Sequence, residues 1–167
     1  PDLIAVTGDI VDGKTEARLS DVLPLKDLKA PYGVFGIEGN HEHYVDYNAW
    51  MATYPTLNLI MLENSHRLLN VNGEKLAIVG ITDPMAARYH REYPNIKKAM
   101  QGVPPDATAI LLSHQVKYSR DYAKYPIALQ LSGHTHGGQI FGMHWLAQII
   151  NKGFVKDKYQ IGNMLLY

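Results

Sequence analysis

Apolar residues along this chain gather in short runs, most of which stop at glycine, asparagine or a charged residue. Asp2-Leu3-Ile4-Ala5-Val6-Thr7 is β-rich and gives way to Gly8-Asp9, which predicts a buried strand feeding a loop. Leucine or valine at 19, 22, 25 and 28 recurs every third position, so a one-faced helix is expected over 14–29, kinked at Pro24. Gly33 to Ile37 reads as a second strand, again running into polar residues, Glu38-Gly39-Asn40-His41-Glu42. A helix over 46–54 and a further apolar run, Leu57 to Leu62, come next. Arg67 to Val71 and Lys75 to Ile81 flank Asn72-Gly73, the pairing expected of a β-hairpin. Residues 85–101 carry a helical pattern divided by Pro94, Ala107 to Leu112 a strand that ends at Ser113-His114, and 115–125 a tyrosine-rich helical stretch. Ile127 to Leu131 is one more strand, ending in Ser132-Gly133-His134-Thr135-His136-Gly137. Beyond Gly142 the pattern thins to a helix over 144–151 and a strand near Met164 to Leu166.

Strands alternating with helical stretches predict an α/β layered domain. Four of the apolar runs end in residues fit for metal binding or proton transfer: Asp9, Asn40-His41, His114, and His134 with His136. Sites at the carboxyl ends of strands are what such sheets provide.

Composition narrows the classes of function. The chain has 167 residues, 46% of them hydrophobic and 19% charged, which suits one core-forming domain rather than a disordered segment. Sixteen basic residues balance sixteen acidic ones, so no net field draws the chain to nucleic acid or to an anionic membrane. With no cysteine there is no disulfide, thiolate metal site or cysteine nucleophile, although this leaves the compartment open. No apolar run approaches the roughly 18 residues of a membrane span, and no signal peptide is visible. The chain starts at Pro1 with a strand-like run immediately after it, so it is expected to be a piece of a longer protein.

Taken singly, the candidate residues all have structural explanations. Asp9 and Asp12 could cap loops, Asn40 could start a helix, His114 could be a satisfied strand-end residue, and His134 and His136 could be loop surface. On an extended chain, however, the last two would point to the same side and converge on one point. Neutral imidazole is the commonest protein ligand for metals.

Together, Gly8-Asp9-Ile10-Val11-Asp12, Gly39-Asn40-His41-Glu42, His114 and Gly133-His134-Thr135-His136 resemble, in order, four of the five signature blocks of the calcineurin-like metallophosphoesterase superfamily. The longer forms Gly-Asp-Ile-Val-Asp-Gly and Ser-Gly-His-Thr-His-Gly-Gly-Gln are most similar to the branch that contains membrane-associated bacterial phosphodiesterases. The resemblance implies an α/β fold of two packed mixed β-sheets flanked by helices, a four-layer sandwich. It implies two divalent or trivalent metal ions (manganese, iron or zinc by their oxygen and nitrogen donors) that hold a phosphate ester and activate a bridging water. Asp9 would bridge the ions, Asn40, His114 and His134 would complete one of them, and His136 would belong to the other. His41 would protonate the leaving oxygen, with Asp12 orienting it and keeping it charged.

The fifth block, Asp-x-His on the family's first strand, does not occur in this sequence. Residues 1–167 are therefore expected to form a single but incomplete domain, short of that strand and of the end of the second sheet, and weak or inactive as a fragment. The function implied for the parent protein is hydrolysis of a phosphate ester, with a diester preferred. A non-catalytic metal-binding scaffold and a nuclease are the alternatives, the latter disfavoured by the balanced charge. Any membrane association would come through segments outside this chain, and the compartment is left unknown, with the cytoplasm or a membrane surface of bacterial type as the alternatives.

Other chemistry-bearing residues read as structural. His43, His66, His90 and His144 lie outside the blocks, Asp83 reads as a turn residue before Pro84, and Glu42 as support for a helix start or for the ligands. Tyr44 and Tyr118 follow ligand blocks and are candidates for substrate contact; Trp50 and Trp145 suit helix packing or an apolar patch. Arg88, Arg91, Lys97 and Lys98 read as a solvated helix face.

Overall fold

The computed structural model describes residues 1–136 and 149–167, and within them the strands form two sheets. The first holds β1 (Ile4–Thr7), β2 (Val34–Ile37) and β3 (Ile60–Met61), parallel and in that order. The second is mixed, with β4 (Ser65–Val71), β5 (Glu74–Gly80), β6 (Thr108–Leu112), β7 (Leu129–Leu131), β8 (Tyr159–Ile161) and β9 (Met164–Leu166) in the order β4-β5-β6-β7-β9-β8. The pairs β4–β5 and β8–β9 are antiparallel and the others parallel. Among the described residues, the helices that flank the sheets include α1 (Thr15–Val22), α2 (Asn40–Tyr44), α3 (Tyr47–Thr53), α4 (Ile96–Ala99) and α5 (Ser119–Tyr122).

Alternation along the strands sorts the side chains into layers. On β5 and β6, Ala77, Val79, Ala109 and Leu111 face outward to pack with Ala99 of α4 and Tyr122 of α5. Ile78 and Leu112 face inward against Phe35 and Ile37 of β2 and Leu62, forming the core between the sheets. Val34 on β2 turns the other way, into a third cluster with Val22, Trp50 and Tyr54. The result is helix, sheet, sheet, helix, the four-layer α/β arrangement the resemblance implied. The sheets press together closely at Gly80, where a Cβ would lie 2.3 Å from Leu62 Cβ and 2.9 Å from Ile37 Cγ2.

The hairpin turn at Asn72-Gly73 has positive φ at both residues, 54° and 92°, as a two-residue turn of this kind requires. The helix expected over 14–29 is α1 followed by a 3-10 turn, Leu23–Asp27, with Pro24 in its first positions. Residues 85–101 depart from expectation. They form a 3-10 helix, Pro84–Tyr89, then a stretch without regular secondary structure through Pro94, and only the single turn of α4, because Pro94 lacks the N–H a continuing helix needs and disfavours helix before it. Arg91 is accordingly not on a solvated helix face: its guanidinium lies 4.1 Å from the centre of the Tyr47 ring and 3.4 Å from His43 Nδ1. Trp50 is fully buried, as helix packing predicts. Strand β8 was not foreseen. The helix expected over 144–151 falls largely outside the described residues, as do His144 and Trp145. Among the described residues no helix is long and apolar enough to cross a membrane.

Candidate metal centre

Strands β1, β2, β6 and β7 release their chains at one edge of the two sheets, and the four motif loops meet there. The first loop turns at once: Gly8 and Asp9 both have positive φ, 86° and 53°. A Cβ at Gly8 would lie 2.6 Å from Gly39 N, and one at Gly39 would lie 2.3 Å from Asp9 Oδ1. The two glycines let the first and second loops cross in contact.

Glu42 fastens that crossing. Its carboxylate, fully buried, accepts the backbone N–H of Asp9 at 3.0 Å, Ile10 at 2.6 Å and Gly39 at 2.7 Å, together with the Tyr54 hydroxyl at 3.1 Å. The bond from Gly39 is also half of a capping box, with glutamate at the third position of α2. Sequence reasoning gave Glu42 a supporting role in the helix start or behind the ligands, and the structure gives it both.

Four donor side chains converge beyond this crossing. His114 Nε2 lies 3.0 Å from Asp9 Oδ2, 3.1 Å from Asn40 Oδ1 and 3.2 Å from His134 Nδ1. The ligand atoms of Asp9, His114 and His134 all fall within 4.8 Å of one another. His114 Nδ1 donates to the Thr7 carbonyl at 2.6 Å, so in the neutral ring Nε2 offers a lone pair. Asn40 is likewise fixed: its Nδ2 donates to the Tyr44 hydroxyl at 3.0 Å, which turns Oδ1 toward the cluster. Carboxylate, amide oxygen and two imidazole nitrogens therefore aim acceptors at one point, an arrangement that a cation between them stabilises. The donor set fits a divalent metal ion of the first transition row.

Charges respond accordingly. Burial pushes His114 down, but the hydrogen bond and negative charge of Asp9 outweigh it and hold the imidazole above its ordinary value. Burial pushes Asp9 up, and the contacts with His114 and His41 prevail, holding the carboxyl low. Burial and the positive charge of His114 both push His134 down.

His41 stands beside the cluster, its backbone N–H on Asp9 Oδ1 at 2.9 Å and its Nδ1 2.9 Å from Asp12 Oδ1. Burial lowers the His41 imidazole, but the Asp12 hydrogen bond and the charges of Asp9 and Asp12 raise it further. These residues, with His136, line a cleft of about 320 Å³. His136 is exposed, and it lies outside the three-residue cluster. The expectation that His134 and His136 project together from an extended strand does not hold: β7 ends at Leu131, and both histidines have positive φ, 66° and 48°. Gly133 N–H donates to His114 O instead, and this turn brings His134 to its partner.

Among the other histidines, His43 is buried against Glu38, 3.6 Å away, and His66 Nδ1 donates to Ala99 O. Asp83 is the turn residue expected, accepting from Met85 N, but it is buried and also accepts from Gln115 Nε2. Burial raises its carboxyl and that of Glu38. Tyr44, weighed only for substrate contact, instead contacts a candidate ligand. Its spacing four residues after Asn40 on α2 is the signal that could have found that contact.

Residues 1–138 match the family described as calcineurin-like phosphoesterase, and the chain belongs to that family. It is 36% identical over 149 residues to an uncharacterized metallophosphoesterase of Helicobacter pylori, covering 89% of this chain and 39% of that protein. It is 32% identical over 172 residues to a transmembrane protein with metallophosphoesterase domain of Bos taurus, covering 96% and 38%. With the metallophosphoesterase YkuE of Bacillus subtilis it shares 33% over 178 residues, covering 100% and 59%. The chain thus spans well under half the length of the first two. Family membership implies divalent metal and phosphoester chemistry.

Proposed function

We propose that this chain is the metal-binding part of a phosphoesterase that hydrolyses phosphate esters, diesters in preference, at a pair of metal ions. The convergence of Asp9, Asn40, His114 and His134 on one point, with the His41–Asp12 pair beside it, carries the proposal. Asp9, Asn40, His114 and His134 would hold one ion. Asp9 and His136 would contribute to the second, for which manganese, iron and zinc are the candidates. Ions held there supply a more acidic water and neutralise phosphoryl charge.

The protein's own groups do the rest. His41, kept protonated by Asp12, delivers a proton to the leaving oxygen. Glu42 and the glycine crossing hold Asp9 and His41 in fixed relation, so the donor and the ligand need no reorganisation during reaction. A scaffold that merely bound metal would have no need of the oriented His41–Asp12 pair. That pair favours the catalytic reading. The test is metal analysis of the full-length protein, followed by phosphomonoesters, cyclic nucleotides, phospholipid-like diesters and nucleic acid offered to metal-loaded and metal-stripped enzyme. Metal-dependent release of an alcohol or phosphate from an ester is expected. Bound metal with no turnover of any ester would favour the scaffold, and salt-sensitive cleavage of nucleic acid alone would favour a nuclease.

A further inference from the structure

Helix α1 forms one wall of the cleft that holds Asp9, Asp12, His41 and His136, and it turns Arg18 and Asp21 toward it. We propose that Arg18 receives an anionic group on the leaving portion of the substrate, so that esters with a negatively charged leaving group are preferred. This rests on the phosphoesterase reading above. Among the described residues lining the cleft, Arg18 is the one with a permanent positive charge, against three carboxylates, Asp9, Asp12 and Asp21. Ions at Asp9 would neutralise the transferred phosphoryl end. Asp12 is paired with His41, but among the described residues lining the cleft Asp21 has only Arg18 as a cationic partner, and without Arg18 it would repel an anionic leaving group.

The guanidinium is placed rather than loose. Gly13, at φ 112°, has no side chain, and a Cβ there would sit 3.0 Å from Arg18 Cγ, so the arginine stem passes over the end of the Asp9–Asp12 loop. Trp50 Nε1 holds Gly13 O at 2.9 Å, and Asp46 Oδ2 accepts Thr15 N–H at 3.0 Å, fixing the start of α1. Arg18 Nη1 contacts Asp21 Oδ2 at 3.0 Å, both side chains being half exposed. One such contact leaves most of the five N–H donors for a ligand, and the planar fork suits a carboxylate or a phosphate. A half-exposed pair of this kind does little for stability. Because Asp12 on the same wall orients His41, the proton donor, Arg18 lies on the side where the leaving group departs. Water oxygen bonds to phosphorus and releases its proton to solvent, the bond from phosphorus to the leaving oxygen breaks, and that oxygen takes the proton of His41.

The test uses full-length, metal-loaded protein and two matched pairs that differ only in a carboxylate: benzylphosphonate with 4-(phosphonomethyl)benzoate for binding, and phenyl phosphate with 4-carboxyphenyl phosphate for turnover. Calorimetry on the wild type is expected to show the carboxylated phosphonate binding about tenfold tighter, the scale of one charge-assisted contact. Arg18→Ala is expected to erase that difference, to leave benzylphosphonate affinity within about twofold, and to raise KM for the carboxylated ester with kcat held. Arg18→Lys should keep part of the preference. Persistence of the preference in Arg18→Ala, or equal weakening of both phosphonates, overturns the inference while leaving the phosphoesterase reading intact. Failure of the wild type to bind either phosphonate likewise overturns the inference, and bound metal with no turnover of any ester overturns both.

Discussion

Glu42 and Asp9 are 33 residues apart, and the side chain of one holds the backbone of the other, Glu42 Oε2 accepting Asp9 N–H at 3.0 Å. Asp9 in turn reaches back across the same crossing, its Oδ1 accepting His41 N–H. Asp9 and His41, the proposed ligand and the proposed proton donor, are thus built on one knot whose centre is a buried carboxylate.

Replacing Glu42 with glutamine puts an amide N–H among backbone N–H donors and removes the charge from those that remain bonded. A loss of about 2–4 kcal/mol is expected, given about 1.5–3 kcal/mol for a hydrogen bond to a charged group. Urea denaturation followed by circular dichroism measures it. A change below about 0.5 kcal/mol, the range of ordinary surface substitutions, would contradict the role given to Glu42.

His41 donates its backbone N–H to Asp9 Oδ1, while its imidazole bonds Asp12 through Nδ1 at 2.9 Å and leaves Nε2 3.9 Å from Asp9 Oδ2, beyond hydrogen-bond reach. His41→Ala should therefore keep its metal while turnover falls by about 10²–10⁴-fold, the usual worth of a positioned acid. Asp12→Asn should fall less, and the double variant should be no worse than His41→Ala, because Asp12 acts through His41. Loss of metal in His41→Ala, seen by elemental analysis, would show that the imidazole is a ligand.

Tyr44 is 45% exposed, so its removal opens no buried cavity, and its hydroxyl fixes the Asn40 amide. In Tyr44→Phe, metal affinity should drop by about tenfold, within the range for partners of ligating groups, with unchanged thermal stability of the metal-free protein. Equilibrium dialysis against graded free metal decides. Unaltered affinity would mean that Asn40 needs no such support.

Gly80→Ala tests the packing of the two sheets. The new methyl would meet Leu62 and Ile37, both buried and neither able to retreat, and about 1–3 kcal/mol of destabilisation follows from overpacking. Thermal unfolding at the wild-type midpoint would sink the four-layer core as described if the variant proved equally stable.

Much of this fold was legible because strands buried on both faces read as short apolar runs: Lys75 to Ile81 and Ala107 to Leu112 each stop at polar residues, and Asn72-Gly73 announces its turn. The donors of the candidate site were legible as types, since Asp9, Asn40, His114 and His134 sit where apolar runs end. Their arrangement was not. Glu42 joins segments 31 to 33 residues apart, and nothing local in Asn-His-Glu-His marks the third residue as the centre of a crossing. His134 reaches His114 through left-handed backbone, where an extended reading of Gly-His-Thr-His pointed elsewhere. Residues 85–101 were expected to be helical on both sides of Pro94, and they hold only a 3-10 helix to Tyr89 and the single turn of α4. Strand β8 is three residues long with mixed burial, too short for alternation to stand out.

Anomalous diffraction from crystals of the full-length protein grown with manganese or zinc tests the central claim most directly. The account predicts a peak about 2 Å, the usual bond length to oxygen and nitrogen donors, from Asp9 Oδ2, Asn40 Oδ1, His114 Nε2 and an imidazole nitrogen of His134. A well-ordered site with no peak, or a peak beyond reach of Asp9 and His114, would contradict it.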